Sequence, residues 1–224
     1  MKSYNDTISS RKVEKLAISR RNFIKNGSIL PFAATAAAGL FSAGDAHAAK
    51  PQILQSDHVL GFPTAPITII EYASLTCGHC GNFHKFTFGD LKKNYVDSGK
   101  AKFVYRHFPL DRFAFIAAIL SECTNDDSAF FEMIGTLFVQ QEEWTRADDP
   151  ALALIEIGEK NGIALEEFVT CLTNQELVDG IASESLIGST QFGVDSTPTL
   201  FIQGEKYERD RSFEAMDSYL KTLA

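Results

Sequence analysis

The chain has 224 residues, with 21 Lys and Arg against 29 Asp and Glu, for a formal net charge of −8. Residues 1–48 hold seven of the basic and three of the acidic residues, so residues 49–224 carry 14 against 26, a net of −12 that argues against a nucleic-acid partner. Those later residues suit one domain, long enough to bury about 70% of its unfolded surface without help from disulfides. The 18 Phe point to a large aromatic core with some rings left at the surface. There is no internal repeat, no low-complexity tract beyond an Ala-rich N-terminal stretch, and no glycine loop of the kind that cradles phosphate.

Residues 1–48 read as a targeting segment. Ser19-Arg20-Arg21-Asn22-Phe23-Ile24-Lys25 resembles the twin-arginine consensus, with Ile24 replacing the usual Leu. A modestly apolar run from Ile29 to Ala43 follows, then Ala46-His47-Ala48, whose small residues suit cleavage after Ala48. About 15 weakly apolar residues fall short of the roughly 20 needed to span a bilayer, which disfavours a transmembrane anchor and leaves an uncleaved tether as the alternative. The resemblance implies a bacterial periplasm as destination and the twin-arginine export machinery as a partner.

Gln55 to Leu60 is expected to form a short strand, and Gly61 to Pro66 a turn into an apolar strand over 67–72. The strand gives way, through Cys77-Gly78-His79-Cys80, to a helix starting near Asn82 and running to about Val96, with Gly89 as a candidate break. Ser98-Gly99 ends it before a strand over 101–107. Right-handed crossover makes these strands parallel neighbours and puts Cys77 at the carboxyl end of the first.

From Asp111 to about Phe192 the pattern is helical. Phe115, Ile116, Ile119, Leu120 and Cys123 form one apolar stripe; Phe130, Phe131, Ile134, Leu137 and Phe138 form another, capped by Asp127-Ser128. Asp149-Pro150 opens a third helix that stops at Asn161-Gly162; Leu165, Phe168, Val169 and Leu172 mark a fourth, and a long fifth runs from Gln175 toward Gln191. Thr199 to Ile202 and Lys206 to Glu208 flank a turn as a hairpin, and Ser212 to Leu223 closes as an amphipathic helix. The expected fold class is α/β: a βαβ half and a ββα half, with an all-helical insertion at about 111–192 inside a domain spanning 49–224.

The pair Cys77 and Cys80 carries the chemistry. At the first turn of a helix, unpaired backbone N–H groups and the positive end of the macrodipole favour an anion, so Cys77 is expected to be a thiolate near neutral pH. The spacing of three puts Cys80 on the same face, close enough to close a disulfide ring. Half of a zinc site is the bland alternative, but Cys123 and Cys171 stand alone in separate segments, and Gly81 occupies the place where covalent haem attachment needs a His. No metal and no cofactor is expected beyond the Cys77–Cys80 disulfide itself. In an exported chain Cys123 and Cys171, both facing a helical core, are expected to pair as a structural disulfide, buried free thiols being the alternative.

The order of elements, with Cys77-Gly78-His79-Cys80 after a strand, Thr197-Pro198-Thr199 before a later strand and Glu71 six residues ahead of Cys77, resembles the thioredoxin fold with a helical insertion, as in the DsbA-like thiol-disulfide oxidoreductases of bacterial envelopes. The resemblance implies that Pro198 is cis and faces the dithiol, that Thr197 offers backbone groups to a client chain, and that Glu71, costly to bury unpaired, handles the Cys80 proton. For Glu71 the alternative is an edge glutamate facing water. His79 is placed to hydrogen-bond or pair with the Cys77 thiolate. The resemblance further implies client proteins with free cysteines as substrates and a quinone-linked membrane protein as reoxidant. Gly-His between the cysteines departs from the Pro-His of the strongest bacterial oxidants and matches protein disulfide isomerase, so oxidase and isomerase or reductase both stand as readings. A metal carrier using Cys77, Cys80, His79 and His84 is the reading from a different class.

Overall fold

The computed structural model describes residues 49–223. The twin-arginine-like segment and the expected cleavage site at Ala48 lie outside them. Among the described residues no helix is long and apolar enough to cross a membrane.

Among the described residues, five strands form one mixed sheet in the order β1-β3-β2-β4-β5: β1 (Val59–Leu60), β2 (Ile67–Ala73), β3 (Ala101–His107), β4 (Thr199–Ile202) and β5 (Glu205–Lys206). β2 and β3 are parallel, with Ile67 opposite Ala101 and Ala73 opposite His107, as the βαβ reading requires. β4 runs antiparallel to β2, placing Leu200 opposite Glu71. β1 is shorter than the 55–60 expected from sequence. Asp57 N–H donates to the Leu54 carbonyl and Leu54 N–H donates to the Asp57 carboxylate, making a turn, while the buried Arg106 guanidinium grips that same carboxylate at 2.8 Å. A turn fixed by a buried, hydrogen-bonded ion pair overrides the extended preference of these residues.

Residues 78–96 form one unbroken helical stretch: α1 (Gly78–Phe83), a π-helical turn (His84–Phe88), α2 (Gly89–Leu91) and a second π-helical turn (Lys92–Val96). Two expectations are corrected here. The helix starts at Gly78 rather than near Asn82, so Cys77 is its N-cap residue, in extended conformation at φ −77° and ψ 118°. Gly89 does not break it; its backbone is right-handed helical at φ −57° and ψ −47°, and the register change is absorbed by the wider turns on either side.

The helices that follow are α3 (Arg112–Glu122), α4 (Asp127–Val139), α5 (Gln141–Thr145), α6 (Pro150–Lys160), α7 (Leu165–Leu172) and α8 (Gln175–Gln191); α9 (Phe213–Leu220) ends the chain. Asp111 caps α3 through bonds from Phe113 and Ala114 N–H, and Asp149 caps α6 ahead of Pro150. The cap of α4 is Asp126, one residue before the expected pair, because its carboxylate is the one that receives Ala129 N–H. α5 was not anticipated. The β4–β5 turn places Gln203 and Gly204 both at positive φ, 53° and 79°, the left-handed pair a tight two-residue hairpin needs.

The period-two alternation of β2 sorts its side chains to two cores. Ile67, Ile69 and Ala73 join the larger one, with Leu91, Phe103, Phe130, Phe138 and Trp144; Ile70 and Tyr72 join a smaller one with Val104, Val194 and Phe201. Glu71 points to the side of the larger core, fully buried.

Candidate active site

The carboxyl end of β2 leads through Ser74–Thr76 into Cys77, and the chain is pinned there from several directions. Cys77 N–H donates to the Ser74 carbonyl at 3.0 Å, and the Cys77 carbonyl accepts from Gly81 N–H at 3.0 Å. Gln141, from α5, donates through Nε2 to the Leu75 carbonyl at 2.8 Å and to the Cys77 carbonyl at 3.0 Å. Its Oε1 lies 2.3 Å from where a Cβ on residue 81 would sit, so position 81 must be glycine while Gln141 holds this place. Sequence reasoning missed Gln141: a polar residue in a short polar helix, 64 residues from Cys77, carries no periodic signal.

Cys77 is partly exposed and Cys80 is fully buried; both are free thiols. As a thiol, Cys77 donates to the Thr197 carbonyl at 3.3 Å. The Thr197–Pro198 peptide bond is cis. Thr197 Oγ1 is buried with no hydrogen-bond partner among the described residues, and donation to a Cys77 thiolate would satisfy it. The Cys77 thiol is pulled down from an ordinary value near 9.0 to about 5: the Cys80 thiol donates to it, burial opposes, and the Thr197 hydroxyl and the amides of Cys80 and His79 add further stabilisation of the anion. Cys80 moves the other way, pushed far up by burial, by its bond to Cys77 and by the charge of Glu71. The two sulfurs thus divide into a nucleophile-like anion and a protonated neighbour.

His79 is exposed, and among the described residues its imidazole has no hydrogen bond or ion pair; its backbone amide is the part that faces Cys77. Glu71 does not face water. Its Oε2 pairs with His84 Nε2 at 2.7 Å, and its Oε1 is buried with no partner among the described residues. His84 is thus engaged by a carboxylate, away from the exposed His79, and the four groups of the metal-carrier reading do not converge. Among the described residues no three His, Cys, Asp or Glu side chains group as a metal site. Cys123, the C-cap of α3, is bonded to Cys171 of α7, with Cα atoms 6.0 Å apart.

A second polar cluster lies at the same end of the sheet, outside the cysteine site. Glu122 receives His107 Nε2 at 3.1 Å and His58 Nε2 at 3.2 Å, and His58 Nδ1 meets Asp127 at 2.7 Å. Burial acts against both charges, yet the two histidines hold the Glu122 carboxyl down at about 2, while Glu122 and Asp127 lift His58 to about 8. An adjoining recess of about 340 Å³, lined by Tyr72, Arg106, Ile181 and Glu184 among others, contains neither Cys77 nor Cys80.

A strand ending in a helix-capping cysteine, a second cysteine one turn on and a cis-proline beside the first define a thioredoxin-type site. The thioredoxin family model matches residues 54–222, and the chain belongs to that family. A Rickettsia conorii protein named as a protein-disulfide oxidoreductase is 32% identical over 174 residues, covering 74% of this chain and 61% of its own. The chain therefore spans a little over three fifths of the length of that relative. Among solved structures, alpha-DsbA1 of Wolbachia pipientis matches with a TM-score of 0.72 at 29% identity, over 76% of this chain and 92% of that one. BdbD of Bacillus subtilis shares the fold, with a TM-score of 0.69 at 20% identity over 80% of this chain and 98% of its own.

Proposed function

We propose that the protein is an exported thiol-disulfide oxidoreductase acting on protein clients with free cysteines. The observation that carries this reading is the division of the pair: an accessible Cys77 whose anion is stabilised beside the cis Thr197–Pro198 peptide, and a buried Cys80 kept protonated.

In the oxidised protein a client thiolate attacks Cys77 Sγ and the Cys77–Cys80 bond breaks, its electron pair going to Cys80, which takes up a proton. The client is then held to Cys77 by a mixed disulfide. Its second thiolate attacks the client sulfur of that bond and displaces Cys77 as the stabilised thiolate. The balance is one client dithiol oxidised and the protein disulfide reduced to a Cys77 thiolate and a Cys80 thiol. The Thr197 carbonyl and hydroxyl border the sulfur, where they can guide an extended client segment. Glu71, buried on the same side of the sheet as Cys80, serves that cysteine's proton. Cys123–Cys171 is a structural bridge of the insertion. A quinone-linked membrane protein is the reoxidant this chemistry asks for, and the periplasm, reached by the twin-arginine-like signal, is the compartment that keeps the pair oxidised.

The test is trapping. Cys80→Ala leaves Cys77 able to form mixed disulfides with no internal thiol to release them, so envelope proteins should accumulate on it as reducible adducts, while Cys77→Ala accumulates none. Equal alkylation of Cys77 and Cys80 by iodoacetamide at about pH 6 in the reduced protein, or an absence of adducts, would overturn the assignment.

A further inference from the structure

Cys80 is fully buried, so every proton it gains or loses has to cross protein. Three groups mark a route. Cys80 and His84 are four residues apart on one helical stretch, and His84 reaches Glu71 on β2. Glu71, on β2, pairs through Oε2 with His84 Nε2 at 2.7 Å and keeps Oε1 buried with no partner. Glu71 and Cys80 are both fully buried on the same side of the sheet, and the charge of Glu71 acts to raise the Cys80 thiol. The imidazole is held almost parallel to Phe138 of α4, ring centroids 4.1 Å apart, with Phe88 at 4.8 Å, and its side chain keeps 4% exposure. Of the other titratable groups around Glu71, Tyr105 on β3 is fully buried and turns its hydroxyl to the Ala73 carbonyl at 3.4 Å, and Cys77 lies beyond Cys80. Glu71 is sealed in, and the imidazole is its one ionisable hydrogen-bond partner among the described residues with a trace of contact with water.

We propose that His84 is a positioning residue for the exchange reaction: it fixes Glu71 Oε2, leaves Oε1 as the acceptor for the Cys80 proton, and passes that proton to and from solvent through its ring. The inference rests on the oxidoreductase reading and deepens it. When client thiolate opens the disulfide, a proton enters from water through His84 and Glu71 to the departing Cys80 sulfur, and the pair returns to its starting state. When an external disulfide reoxidises the protein, it first forms a mixed disulfide with Cys77. Cys80 then gives its proton through Glu71 and His84 to water, its sulfur attacks Cys77, and the external thiolate leaves.

The experiment follows closure of the Cys77–Cys80 bond by excess glutathione disulfide, quenched and counted by mass, across about pH 5 to 9, in wild type, His84→Gln, Glu71→Gln and the double variant. Gln can still donate to Glu71 but carries no proton onward. His84→Gln should slow ring closure on the order of 10²-fold, a usual size for a lost acid–base step, and flatten its pH profile, with the double variant no slower than Glu71→Gln alone. Cys77 alkylation at about pH 6 should stay at the wild-type rate in all of them. A wild-type pH profile in His84→Gln, or strictly additive losses in the double variant, would overturn the proposal. The wild-type protein gives an independent measurement: the ring-nitrogen resonances of His84 in ¹⁵N-histidine-labelled protein should shift between the oxidised and reduced forms, and identical resonances would also sink it. Failure of wild type itself to exchange with glutathione disulfide would instead sink the oxidoreductase reading.

Discussion

Reducing the Cys77–Cys80 disulfide should stabilise the folded protein in a way that depends on pH, and the size follows from the sulfur's surroundings. The Cys77 thiol sits at about 5 in the folded chain against 9.0 when free. A folded value below the unfolded one means that the stabilisation grows as pH rises above about 5, is complete above about 9, and is lost as pH falls through 5. At pH 7 two units are realised, about 2.7 kcal/mol at 1.36 kcal/mol per unit, an upper figure because Cys77 is partly exposed. For two electrons that corresponds to about 60 mV of added oxidising power. Cys80 contributes nothing in this window, since it stays protonated below pH 7 in both states. The assay is urea unfolding of the oxidised and reduced proteins at pH 7, 6, 5 and 4. Groups common to both forms cancel in the difference, so the free-energy gap should shift by about 2 to 3 kcal/mol toward the oxidised protein between pH 7 and pH 4. A gap that stays constant over that range would refute the placement of a thiolate at the helix cap.

Gln141→Ala removes the Nε2 group that donates to the buried Leu75 carbonyl and the part-buried Cys77 carbonyl and should cost about 1–3 kcal/mol in urea unfolding, while Gln141→Glu, which cannot donate when ionised, should cost at least as much. His58, raised to about 8 from 6.5, contributes stability that is full below pH 6.5 and lost as pH rises through 8, so the denaturation midpoint should drop over that interval by about 1–2 kcal/mol equivalent and stop doing so in His58→Ala. Replacing Cys123 and Cys171 together by Ala opens a loop of sequence separation 48 and should cost up to about 4 kcal/mol in the same assay, leaving Cys77 alkylation unchanged. Arg20→Lys with Arg21→Lys should hold the precursor in the cytoplasm on fractionation, because the receptor reads the arginine pair and not its charge; unchanged export would point to the general secretory route.

The βαβ unit was legible because β2 and β3 are apolar runs with clear turn residues between them and the helix, and parallel pairing follows from the crossover. The start of α1 was not. Gly78 and Gly81 are poor helix formers, and the reason for Gly81 is tertiary, since it yields its space to Gln141, while a Cβ on Gly78 would meet nothing within 4 Å. The Glu71–His84 pair was half legible. A carboxylate in an apolar strand signals a special group, but its partner, 13 residues on and across the strand-to-helix turn, follows from packing that no local periodicity records. α5 escaped for a similar reason: Gln-Glu-Glu-Trp-Thr has no apolar stripe, and it folds because Trp144 is buried and bonded through Nε1 to the Leu137 carbonyl.

Trp144 is the only tryptophan in the chain, and it lies three residues after Gln141 on the same short helix, one side chain gripping the cysteine turn and the other sealed in the core. Any strain that opening or closing the disulfide puts on the Leu75 and Cys77 carbonyls is transmitted along less than one helical turn to a lone indole. A lone core indole so placed should emit on the blue side of the tryptophan band, and its intensity should follow, without label or dye, a titration of the Cys77–Cys80 pair between thiol and disulfide.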